Sequence, residues 1–129
     1  MSLEANDLWQ RGIKSLESAK LLLPSDPDSS SSCSYYAAFY AVSALFAVKG
    51  QTFKKHSSVE TALHRELVKT GRWPVELGEM YSLLREMRAV GDYGGGTHIS
   101  VGEAETAVAR AARILEAARK EHPDIFTGI

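Results

Sequence analysis

Arg85, Arg88 and Asp92 are the side chains whose type and spacing most invite chemistry. They stand in the stretch LREMRAVGDYGGGTHIS, residues 84–100, which also holds Tyr93 and His98. At about 100° per residue, a helix brings the three within about 60° of one another, on one side. Arg88 also continues an apolar series, Leu77, Tyr81 and Leu84, at helical spacing. A cation on a core-facing stripe is costly unless its charge is met, and Asp92, one turn on, is the nearest partner. Two accounts are open. One is a structural ion pair that closes the end of a helix bundle. The other is a site that binds phosphate or a nucleotide, for which the planar fork of arginine offers paired donors. Lys54, Lys55 and His56 stand just before a further helix whose first amides favour anions. With Tyr93, they join Arg85, Arg88 and Asp92 as candidate ligand-binding residues.

Catalysis at these positions needs an imidazole near Arg88. The candidates are His98 and His56. His98 lies ten positions after Arg88, across Gly94, Gly95 and Gly96. His64 reads as a boundary residue and His122 as solvated. The histidines show no spacing that suits a metal, so no metal site is expected. The three glycines lack the preceding strand and following lysine of a phosphate loop, and no cofactor is expected. Tyr35, Tyr36, Phe39 and Tyr40 could stack on bases. Their place on a helix that is apolar all round assigns them to core and interface instead, and Cys33 beside them to a buried, inert thiol.

The elements that must position these groups are helices, with almost no strand signal. The first begins after Asn6 or Asp7 as cap and buries a stripe of Trp9, Ile13, Leu16, Lys20 and Leu23. LPSDPDSSSS reads as a loop, from its two prolines and serine run. The second helix spans about 32–48 and ends at Lys49-Gly50. It is apolar on both faces, so one face meets the bundle and the other asks for a second copy of the chain. Ser57 with Glu60 suggests a capping box for a third helix over 58–69, closed by Gly71. Trp73-Pro74 opens the fourth, which ends near Tyr93. Ser100 with Glu103 caps the fifth, with Val101, Ala104, Val108, Ala111, Leu115 and Ala118 inward and Pro123 as its stop. The expected fold is all-α: an antiparallel bundle of four main helices plus an additional one.

The bulk numbers agree. A chain of 129 residues fits one domain, 1–129. Its net charge of −1 speaks against a broad basic surface for duplex DNA, though not against a local basic site. A lone cysteine excludes an internal disulfide and suits the cytoplasm. No secretory signal is visible, and YYAAFYAVSALFAV is too short to span a bilayer, so no membrane association is expected.

Several pieces together resemble the HEPN-domain family, over roughly Trp9 to Lys120. They are the Ser-Tyr-Tyr-Ala-x-Phe run at Ser34–Phe39, the Lys-x-His-x-x-Val pattern at Lys54–Val59 and the Arg-x-x-x-Asp-Tyr pattern at Arg88–Tyr93. The resemblance implies a helical bundle, usually a homodimer. It also implies a link to nucleotide or RNA chemistry, often beside a nucleotidyltransferase partner in a toxin–antitoxin pair. Many members are metal-independent ribonucleases with a closely spaced arginine and histidine at the dimer interface. This chain departs from that motif. Tyr93, Gly94 and Gly95 stand where the histidine is expected after Arg88, with Asp92 just short of it. Three functions follow as expectations: a domain that binds nucleotide, RNA or a partner protein; a ribonuclease toxin using Arg88 with His98 or His56; and a structural interaction module.

Overall fold

The computed structural model describes residues 3–128, all helix, turn and loop. Five helices follow in order: α1 (Leu3–Leu22), α2 (Pro27–Ala47), α3 (His56–Ala62), α4 (Val75–Tyr93) and α5 (Val101–Glu121). A π-helical turn, Leu63–Val68, prolongs α3. The all-α bundle is as the periodicity requires.

Helix α1 starts a turn earlier than its capping residues suggest. Asn6 and Asp7 lie inside it, and Asp7 pairs with Arg11 at 3.1 Å. The earlier start buries Ala5 in line with Trp9, Ile13 and Leu16, while Lys20 stays exposed. The serine run is not a loop. Asp26 caps α2 by accepting from the Ser29 amide at 3.2 Å, and Pro27 occupies the first turn, where its missing N–H costs nothing. The serines then enter the helix, Ser30 donating to the Ala19 carbonyl at 2.7 Å. Local turn chemistry pointed to a loop; packing of small residues against α1 prevailed.

Helix α2 is the central rod, with α1, α4, α5 and α3 all packed on it. Its second apolar face is therefore covered largely from within the chain. Tyr36, Phe39 and Tyr40 remain as a half-buried strip along it. At its start, the backbone of Asp28 comes so close to α4 that a Cβ on Gly91 would lie 2.9 Å from the Asp28 carbonyl oxygen. Glycine at 91 thus lets the last turn of α4 dock on α2.

The expected capping box at Ser57 and Glu60 does not form. Lys55 holds the cap position without a side-chain cap, and Glu60 turns toward α4 instead. Helix α4 buries Leu77, Tyr81 and Leu84, as its stripe requires, with Trp73 buried just before it. The box of Ser100 and Glu103 is present, with bonds of 3.1 and 2.9 Å. On α5 the buried face is turned slightly from expectation: Ala107 and Ile114 are buried, Val108 is half-buried and Val101 is 43% exposed. After α5, Phe126 folds back to stack on Trp9 at 4.7 Å, and the indole N–H of Trp9 donates to the Thr127 carbonyl at 2.8 Å. No helix among the described residues is long and apolar enough to cross a membrane.

Candidate functional site

Between α3, its π-helical extension and α4 lies a cleft of about 550 Å³, lined by Tyr35, His56, Ser57, Glu60, Thr61, His64, Arg85 and Arg88. Each wall has a local cause. Tyr35 is on α2 because that rod is aromatic where it passes under α3. His56 opens α3. Arg85 and Arg88 lie on the side of α4 that faces away from Leu84.

Arg88 is 23% exposed at its side chain. Its Nε donates to Asp92 Oδ2 at 3.0 Å and its Nη2 to the Tyr36 hydroxyl at 3.0 Å. The guanidinium carbon lies 5.6, 5.2 and 5.7 Å from the ring centres of Tyr35, Tyr36 and Tyr93. Aromatic faces attract a cation and replace part of its lost hydration. Burial opposes the charge, but Tyr36, Tyr93 and Asp92 outweigh it and hold the group above the usual arginine range. Nη1 and one Nη2 hydrogen remain uncommitted.

Arg85 does not join Asp92. Its Nε donates to Glu60 Oε1 at 2.7 Å, across the α3–α4 cleft. Glu60 Oε2 accepts from the Ser82 hydroxyl at 2.7 Å. Ser82 has thus spent its proton, so its oxygen accepts from His64 Nε2–H at 3.2 Å, which fixes that tautomer. The π-helical turn places His64 there, over Gly78, where a Cβ would stand 2.9 Å from the imidazole Cε1.

His56 shares the cleft with Arg88. Its ring stacks on Phe39 at 4.0 Å, and its Nδ1 is 3.1 Å from the Tyr35 hydroxyl. Partial burial first, and the Arg88 charge second, lower its pKa from the ordinary 6.5. At neutral pH it is an uncharged imidazole, the form that accepts a proton.

The other expected residues are placed elsewhere. The glycine loop carries His98 to the start of α2, where its Nδ1 lies 2.7 Å from Asp28 Oδ2. Asp28 Oδ1 also accepts from the Ile99 amide at 2.7 Å, and that bond, followed by His98, lowers the Asp28 pKa. Asp92 sits behind Arg88, facing Ser32 on α2 at 3.5 Å. Tyr93 is 74% exposed. Lys54 and Lys55 are exposed and do not line the cleft. Sequence reasoning missed Glu60, Ser82 and His64. The signal that existed was the i, i+4 pair Tyr35 and Phe39, an aromatic seat for the histidine that opens α3. No group of residues that would hold a metal occurs among the described residues.

A family model described as HEPN domain matches residues 5–121. A UPF0332 protein of Thermotoga maritima is 39% identical over 121 residues, 92% of this chain and 92% of its own length. A UPF0332 protein of Gloeobacter violaceus is 33% identical over 120 residues, 92% and 95% of the two chains. A Methanocaldococcus jannaschii protein bearing the name "Putative toxin MJ0142" is 36% identical over 103 residues, 79% of this chain and 70% of that one.

Proposed function

The chain belongs to the HEPN family, and from that premise we propose that it is a toxin-like domain that binds the phosphate of a nucleotide or RNA in the α3–α4 cleft. The observation that carries this is the convergence of Arg85, Arg88 and His56 on one cleft, with guanidinium N–H groups to spare. Arg85 has used only Nε, so both its amino groups can offer the paired donors that a phosphate takes. Arg88 is held in place by Asp92 and Tyr36, so it is already oriented before a ligand arrives. The binding set is thus Arg85, Arg88 and His56, with Asp92 and Tyr36 as positioning residues. The relative named as a toxin supports a toxin-like role, and the family resemblance supports a homodimer and a nucleotidyltransferase partner. The half-buried strip of Tyr36, Phe39 and Tyr40 is the face on which two copies would meet. Titration calorimetry with a mononucleotide and a short RNA tests the reading: wild type binds at least one of them, and Arg88→Ala weakens that binding by at least about tenfold. No heat with either ligand sinks it.

A second reading, a metal-independent ribonuclease, is favoured by one observation: the neutral His56 stands in the same cleft as Arg88. His56, and not His98, would then take the proton of a ribose 2′-hydroxyl, while Arg85 and Arg88 hold the phosphate as it gains its fifth oxygen. Incubation with RNA in EDTA, beside His56→Ala, His98→Ala and Arg88→Ala, tests it. Cleavage lost with the first and third variants but kept with the second supports it; no wild-type cleavage removes it.

A further inference from the structure

Glu60 is out of place in a cleft meant for an anion. It lines the cavity, its side chain is only 16% exposed, and it faces Arg85 at 2.7 Å. Three neighbours hold it there: Arg85 Nε on one oxygen, the Ser82 hydroxyl on the other, and His64 Nε2 at 3.7 Å from that second oxygen. The formal charges of the cleft and its supports therefore cancel. Arg85 and Arg88 are matched by Glu60 and Asp92.

We infer that Glu60 is a charge filter that makes the cleft select a phosphodiester, with its single negative charge, over the doubly charged phosphate of a terminal monoester. The inference rests on the proposed phosphate-binding role of Arg85 and Arg88. The cost of stripping water from an anion rises with the square of its charge, whereas attraction to a site rises only in proportion to it. A net-neutral site with oriented N–H donors repays a monoanion through hydrogen bonds. It does not repay a dianion, which meets the Glu60 carboxylate at close range. Without Glu60 the pair of arginines would favour the dianion. Asp92 does not play this part, because it lies behind Arg88 and does not line the cleft. The selected ligand is thus an internal stretch of a nucleic-acid strand, not a free mononucleotide.

The test compares 2′-O-methyl uridylyl-uridine, a diester that cannot be cleaved through its 2′-oxygen, with 2′-O-methyl uridine 5′-monophosphate. Both are titrated calorimetrically into the full chain at pH 7.5 and low salt. Wild type should bind the diester at least as tightly as the monoester. Glu60→Gln keeps the shape and an acceptor for Arg85 but removes the charge. It should tighten diester binding by about fivefold and monoester binding by about the square of that, about twenty-fivefold, because the gain scales with ligand charge. Ser82→Ala keeps the charge and loses only a hydrogen bond, and it should leave the ratio unchanged. A wild-type preference for the monoester, an unchanged ratio in Glu60→Gln, or an equal change in Ser82→Ala overturns the filter while leaving phosphate binding intact. Failure of both ligands to bind wild type overturns the filter and the binding site together. The wild-type ratio decides the matter even if Glu60→Gln does not fold.

Discussion

Two clefts open on opposite flanks of α4, and both hold arginine–carboxylate pairs. The α3–α4 cleft has Arg85 with Glu60 and, at its inner edge, Arg88 with Asp92. The second, about 410 Å³, lies between the start of α4 and the end of α5, over Trp73, Pro74, Leu77 and Ala117, with Arg72 paired to Glu121 at 2.9 Å. Ion pairs alone do not tell them apart. The first cleft adds two imidazoles, the Tyr35 phenol and a guanidinium seated against aromatic rings. The second has cations and carboxylates over an apolar wall, with no histidine or tyrosine. A charged cleft becomes a candidate for chemistry when it also supplies a group that can move a proton and fixed donors that need no reordering.

The contrast breaks most sharply at Arg88. Arg88→Ala should weaken nucleotide or RNA binding by about tenfold to a hundredfold, the loss of a charged hydrogen-bond donor, while Arg113→Ala in the second cleft should leave it within about twofold. Equal losses would erase the distinction. Gly78→Ala comes next. Its methyl group would press on His64 and on Val68 Cγ2, at 2.9 and 3.0 Å. Overpacking of this kind should cost about 1–3 kcal/mol in chemical unfolding and loosen the His64–Ser82–Glu60 chain. An unchanged midpoint would show that the π-helical turn yields freely.

A third test uses pH. The folded-state pKa of His56 is below its ordinary 6.5, so the unfolded chain binds more protons between the two values. The contribution of His56 is present above pH 6.5 and is lost as pH falls through its folded pKa. His56→Phe, which keeps a ring on Phe39, should flatten that slope in thermal melts, and an unaltered slope would contradict the seating of the imidazole. Asp28, at the other end of α2, behaves with the usual carboxylate sign: its pKa is lowered from 3.8, so its contribution is lost only as pH falls below that value. The smallest effect belongs to the second cleft. Arg72→Ala should change stability by no more than about 1 kcal/mol, as partly exposed pairs do, and leave ligand binding untouched.

The arginine on the α4 stripe was legible in the sequence, because a 3.6-residue period places Leu77, Tyr81, Leu84 and Arg88 together whatever surrounds them. Its pairing with Asp92 follows from the same period. The partner of Arg85 was not legible. Glu60 lies on another helix, and the register between two helices is set by packing, not by spacing along either one. Ser57 and Glu60 had the pattern of a capping box, yet Ser82 and Arg85 across the cleft claimed the carboxylate. The serine run misled for a related reason. Its composition favours turns, and only burial of Ser30 and Ser31 against neighbouring helices shows why it is helical. His56 and His98 were equal candidates on the page of letters; the glycine loop could swing either way, and Asp28 captured it.

The wide turn at Leu63–Val68 has a further consequence. A π-bulge is commonly one residue more than a regular helix of the same length would hold. Excising a single residue there would restore ordinary winding and rotate everything downstream by about 100° relative to what precedes it. Glu60 and Leu67 would then no longer be in phase, one serving the cavity and the other the interior. The surplus residue works as an angular spacer, and insertion or deletion scanning across this short segment should be tolerated far less than its position between two surface turns would suggest.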